Sequence, residues 1–281
     1  MSIKTISVFL DGSEASSARL AAAIGLARAR GAHLVAVGLA RQIDFGVYAA
    51  PGAGMAVDLA QIDESRAEAK GIAEAAAEAM QAAGLTPDTR WAASIAVGLE
   101  DTAALVGRHS DLCVVGPVGG EGPEAATADA VFEGVMFGSG RPVLMLPRGW
   151  REGSIGKRVM VCWDGSKVAA RAVADATPFL EAAEEVIVAI VDPNPGEGGF
   201  GEEPGVDIAA VIARHGAKVK VEILPRAGAS TAERLLTAAS DLQADLMVMG
   251  GYGHSRLREA LFSGVSRQVF EGPVVPVLAA H

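Results

Sequence analysis

The chain has 281 residues, which at 100–200 residues per domain leads us to expect about two domains, each large enough to bury its own core. Half of the residues are apolar, 21% are charged and only 5% are aromatic, a composition that excludes general disorder and calls for cores of aliphatic side chains and alanine. The formal charge of −10 excludes a broad attraction to nucleic acid or anionic lipid, since both depend on lysine and arginine set against phosphate.

Mean hydropathy is +0.30. The longest uncharged stretch, residues 45–57, nonetheless contains Pro51 and three glycines and is shorter than the roughly 18 apolar residues of a membrane-spanning helix. In chain order, residues 6–10 alternate as a strand directly after Met1, without the basic, apolar and small-residue succession of an export signal, so a cytoplasmic protein is expected. Residues 56–83 read as an Ala-rich amphipathic helix covering a sheet, residues 111–115 as a strand running into Gly116-Pro-Val-Gly119, and residues 143–146 as a further strand. The charged, Gly-rich run 148–156 marks a domain boundary near Trp150. Beyond it, strands are expected at 158–163, 185–191, 218–224, 245–249 and 274–278, with helices at 167–182, 206–214, 231–242 and 256–271.

The chain repeats itself. Asp111 and Asp245, Gly116 and Gly250, Gly119 and Gly253, and Pro142 and Pro276 are each separated by 134 residues (245 − 111). The opening segment Ile6-Ser-Val-Phe-Leu-Asp11-Gly-Ser matches Val159-Met-Val-Cys-Trp-Asp164-Gly-Ser at an offset of 153 (164 − 11). A period of this length signals a duplicated domain and not a short-repeat solenoid. Aliphatic runs alternating with helices give the expected class: α/β, two tandem doubly wound domains at 1–149 and 156–281, each with a five-stranded parallel sheet flanked by helices. Ligands of such folds bind at the carboxyl edge of the strands, where strand order reverses.

That edge holds the candidate chemistry. In the second copy it carries Asp164-Gly165-Ser166 and the glycine loop Gly250-x2-Gly253, with a helix starting around Ser263, Gly264 and Val265. Glycines let backbone amides approach a phosphate, and a helix start adds amides and the positive end of its dipole. Asp164 is one strand away, suited to a ribose hydroxyl, an adenine amine or Mg²⁺. Asp-Gly-Ser is also a common helix start, with the aspartate as N-cap, and glycine is the ordinary turn residue, so both motifs have a purely structural reading. The five histidines show no metal-ligand spacing; His254, following Gly253, is the one placed to reach a phosphate. Cys113 and Cys162 sit in apolar runs as small hydrophobes. Walker, Gly-x-Ser-x-Gly and Gly-x-Gly-x-x-Gly motifs are absent from the places where they would function.

These residues resemble the universal stress protein family in its tandem form. Nucleotide-binding members carry Gly-x2-Gly-x9-Gly-Ser/Thr after the fourth strand and an aspartate ending the first strand, and they bind ATP. Here Gly250-x2-Gly253 is intact, nine residues follow, and the last pair is reversed to Ser263-Gly264. Ile190 resembles the adenine-contacting position. The resemblance implies a cytoplasmic stress-response protein that binds adenine nucleotide, ATP with Mg²⁺, through Asp164, Ile190, Gly250, Gly253, Ser263, Gly264 and Val265. It also implies a binding or signalling module, with slow ATP hydrolysis at most. In the first copy the pair aligned with Ser263-Gly264 is Asp129-Ala130, so a carboxylate replaces the phosphate-binding position and that site is expected to be degenerate. The terminal strand of each copy, left at a sheet edge, is expected to pair the copies as an intramolecular pseudo-dimer, with a homodimer also open. A nucleotide-free interaction scaffold and an enzyme acting on an adenylated substrate remain alternatives.

Overall fold

The computed structural model describes residues 2–40, 59–93, 98–151, 153–193, 203–251 and 264–281. They form two compact units, one spanning Lys4–Ser139 and the other built on Gly140–His281.

In the first unit, strands β1 (Thr5–Leu10), β2 (His33–Leu39), β3 (Thr89–Ala92) and β4 (Leu112–Val115) alternate with helices α1 (Glu14–Arg30), α2 (Leu59–Ala82), α3 (Leu99–Gly107) and α4 (Pro123–Gly138). The sheet order is β3-β2-β1-β4, and its ladders are parallel. Ile6, Val8, Cys113 and Val114 are fully buried, as a strand covered on both faces requires. Helix α1 starts where the Ser13 side chain accepts a hydrogen bond from the Ser16 amide, and ends at Gly31 in the left-handed region with φ 57°.

The second unit contains strands β5 (Val143–Met145), β6 (Arg158–Cys162), β7 (Glu185–Val191), β8 (Val219–Leu224), β9 (Leu246–Gly250) and β10 (Val277–Ala280). Its helices are α5 (Lys167–Leu180), α6 (Val206–Arg214), α7 (Thr231–Asp241) and α8 (Val265–Glu271). Strand order is β5-β10-β9-β6-β7-β8. The pairs from β10 to β8 are parallel, while β5 runs antiparallel to β10 with Leu144 opposite Leu278. Two parallel doubly wound sheets are therefore present, modified by this one antiparallel strand.

Strand β10 begins at Val277, three residues later than residue 274, where the apolar run starts. Pro273 and Pro276 have no amide to donate, so Val274 stays 49% exposed, and only the Pro276 carbonyl joins the sheet, accepting from the Met247 amide at 2.8 Å.

The aspartates that open both repeated motifs serve the opposite, amino edge. Asp111 accepts from the amides of Lys4 and Thr5, and Asp245 from those of Gly156, Lys157 and Arg158, at 2.8–3.1 Å. Each aspartate ties the start of one strand to its neighbour, which accounts for this part of the repeat by folding alone. No helix among the described residues is long and apolar enough to cross a membrane.

Both cysteines are free and buried. Burial first, then the negative charge of Asp164, pushes the Cys162 thiol up to about 12, so it carries no thiolate near neutral pH. An aromatic disulfide reagent at pH 8 is expected to label neither cysteine in the folded protein and both in guanidinium chloride. Stoichiometric labelling before unfolding would contradict the buried placement.

Candidate functional site

Strand order reverses between β1 and β4 in the first unit and between β6 and β9 in the second, so each unit opens a crevice at the carboxyl ends of these strands. Asp11 and Gly116 lie at the first crevice, Asp164 and Gly250 at the second. The Asp-Gly-Ser turns are built alike. Gly12 and Gly165 take φ values of 76° and 74°, a conformation that disfavours a β-carbon. Asp11 accepts from the Ser13 amide at 3.1 Å and Asp164 from the Ser166 amide at 2.9 Å. The N-caps themselves are the serines, Ser13 and Ser166, which bond the amides of Ser16 and Ala169. The reading of the aspartates as helix N-caps is thus corrected: each braces the turn from two residues upstream, leaving its second carboxylate oxygen for another partner.

In the first unit that partner is internal. Arg19, one turn into α1, donates from Nη2 to Asp11 at 3.0 Å, with side chains only 5% and 12% exposed. Burial raises the Asp11 carboxyl, but the Arg19 charge and the Ser13 and Arg19 hydrogen bonds outweigh it, so the group lies below its ordinary value. Arg19 itself is drawn down by burial despite Asp11 beside it, yet a guanidinium stays charged at neutral pH. Its other end fills the space above Gly116, where a β-carbon would lie 2.1 Å from Nη1. The glycine-loop amide is taken as well: Gly119 donates to Asp129 at 2.7 Å. What remains, lined by Phe9, Leu39, Thr127 and Val131, is a cavity of about 10 Å³, room for one water at most.

The second unit differs at the arginine and at the aspartate. Residue 172, which the 153-residue offset places opposite Arg19, is a fully buried alanine. Asp164 is exposed and makes no ion pair among the described residues. Ile190 is 1% exposed on β7, which runs two residues past the end of its ladder with β6. Gly250 ends β9 against the first turn of α5, where a β-carbon would meet the Ala169 nitrogen at 2.6 Å. Ser266 donates to the Gly250 carbonyl at 3.5 Å, and the His281 ring hydrogen-bonds the Gly251 carbonyl at 3.1 Å. Gly264 is extended, with φ −163°, and heads α8 without a side-chain cap, followed by Val265. Gly253, Ser263 and His254 lie outside the described residues.

Two features escaped the reading of the sequence. Arg19 was detectable as a basic residue on the face of α1 that buries Leu20, Ala23 and Ala27. Asp192, just after β7, has φ 41° and accepts from the amide and Nε of Arg226, at 3.2 and 2.8 Å, linking the carboxyl ends of β7 and β8. The Arg226 hydrogen bonds hold this carboxyl below its ordinary value. No local pattern announces that pair. Among the described residues no three His, Cys, Asp or Glu side chains gather to hold a metal ion.

A tandem pair of doubly wound units, with an aspartate turn and a strand-end glycine at each switch point, defines the class. Residues 156–281 match the family model of the universal stress protein family. No curated protein matches the chain. Among solved structures, a universal stress protein from Archaeoglobus fulgidus is similar over 98% of this chain and 95% of its own, at 19% identity and a TM-score of 0.74. A protein of unknown function from Pseudomonas aeruginosa covers 99% of this chain and 92% of its own, at 15% identity and a TM-score of 0.59. Both likenesses establish the tandem fold. A universal stress protein in complex with cAMP is 24% identical over 46% of this chain and 99% of its own, with a TM-score of 0.37.

Proposed function

We propose that the second copy binds an adenine nucleotide, ATP with Mg²⁺, at the carboxyl edge of β6, β7 and β9, and that the chain acts as a nucleotide-responsive stress-protein module in the cytoplasm. The contrast at the first-strand aspartate carries this reading. Asp11 is consumed by a buried guanidinium, whereas Asp164 has alanine at the corresponding helix position and is exposed at the switch point. An exposed carboxylate there suits a ribose hydroxyl or a Mg²⁺ ion bridging to phosphate. The overrun of β7 at Ile190 supplies main-chain groups at a strand edge, suited to the hydrogen-bonding edge of adenine, and the buried Ile190 side chain helps anchor that edge. Gly250 and Gly253, with the amides of Gly264 and Val265, form the phosphate end, and Ser263 supplies the hydroxyl that glycine at 264 lacks. Turnover of the bound nucleotide is expected to be slow at most.

Calorimetric titration with ATP and Mg²⁺ tests the reading. Micromolar binding near one equivalent per chain is expected for the wild type, with at least a hundredfold loss in Gly253→Val, whose side chain would stand in the phosphate cradle. Absence of heat in a folded wild type would instead favour the nucleotide-free scaffold, and rapid release of phosphate would favour an enzyme.

A further inference from the structure

We propose that the first copy is a latent nucleotide site, held shut by two of its own side chains acting as an internal ligand: Arg19 as the cation for Asp11, and Asp129 as the anion for the glycine loop. This rests on the same reading of the crevice as a nucleotide site, now applied to the other copy. The framework of that crevice is retained: the Asp-Gly-Ser turn with its left-handed glycine, the strand-end Gly116 and the loop glycine Gly119. What differs is occupancy. The Gly119 amide, which a phosphate would need, is spent on the Asp129 carboxylate. The guanidinium lies against Gly116 and bonds the carboxylate that a ribose or a metal ion would need.

The fit of this internal ligand is incomplete. Arg19 Nε is buried and bonds no other protein group, and the Arg19 side chain lines the residual cavity. A core built for a guanidinium would satisfy all of its donors, because an unpaired buried donor is costly. A side chain occupying a pocket shaped for something else need not. Asp129 alone was visible as an obstruction in the sequence; Arg19 makes it a two-part closure, so removing Asp129 by itself leaves the crevice filled.

The test uses the full chain. Arg19→Ala/Asp129→Ser, which installs the second copy's residues at both positions, is titrated with ATP and Mg²⁺ beside wild type, Asp129→Ser alone, Gly253→Val, and the triple combination. The expected stoichiometries are two, one, one, zero and one. Arg19→Met/Asp129→Ser, which keeps the packing of the aliphatic stem, is a second opened variant, and a new equivalent in either supports the proposal. Unchanged stoichiometry in both, with wild-type circular dichroism, overturns it. Failure of both to fold also overturns it, since the pair would then be part of the core and not a plug. The wild-type and Gly253→Val titrations report on the second copy separately: a wild type that binds nothing while the opened variants gain a site refutes the second-copy assignment and leaves this one standing.

Discussion

Arg19→Met is expected to destabilise the unit Lys4–Ser139 by about 3 kcal/mol, the lower end of what loss of one partner from a buried ion pair costs. Asp11 would keep its hydrogen bonds from the amide and hydroxyl of Ser13, which limits the loss, but it would stand nearly buried without a cation. Hydrogen exchange read on peptides from β1 and α1 measures the effect in this unit, since opening free energies there report its own stability. The pair as a whole is a different matter. Desolvating a guanidinium and a carboxylate costs several kcal/mol each, so Asp11→Leu/Arg19→Met is expected to lie within about 1 kcal/mol of wild type. A double variant as unstable as the single one would show that the charges contribute net stability.

The same pair sets a pH dependence. Asp11 has a lower carboxyl value folded than its ordinary unfolded value of about 3.9. Its stabilisation is therefore fully present above that unfolded value and is lost as pH falls through the folded one, because the unfolded chain then takes up the proton first. Arg19 is also drawn down, but a guanidinium stays protonated throughout the acid range, so it adds no dependence there. The doubly apolar variant is expected to lose this component of acid unfolding.

What the sequence discloses and what it conceals divide along the same line. The offsets of 134 and 153, the continuous aliphatic strands and the Asp-Gly-Ser turns are local or periodic, and they lead directly to two doubly wound units with crevices at Asp11 and Asp164. Arg19 is eight residues from Asp11 and nearly a hundred from Gly116, so the closure of the first crevice exists only once β1, α1 and β4 are assembled. Comparison of the copies would have exposed it, since the 153-residue offset sets arginine against alanine on the buried face of the helix. The Asp192–Arg226 bracket has no counterpart signal, because it joins the ends of two strands through an arginine that follows a proline. The late start of β10 was readable in principle from Pro273 and Pro276, yet the apolar run at 274–278 outweighs them when hydropathy alone is followed.

Gly250→Val is expected to have the largest effect in the second unit, and the reason is packing before it is chemistry. A β-carbon at this strand end would lie 2.6 Å from the Ala169 nitrogen and the Val168 carbonyl carbon, backbone atoms that cannot step aside as a side-chain tip would. Either β9 or the first turn of α5 must shift, which costs about 1–3 kcal/mol for one added methyl and more for a branched side chain. The Ala169 nitrogen is the group that Ser166 caps, and Ser166 in turn donates its amide to Asp164. Displacement of that turn would therefore reach the carboxylate assigned to the nucleotide. Gly250→Val should accordingly lower the thermal midpoint and weaken ATP binding together, whereas Gly253→Val should weaken binding with little change in midpoint. Loss of binding in Gly250→Val at an unchanged midpoint would mean that the glycine serves the ligand directly, and that the contact between β9 and α5 is looser than 2.6 Å implies.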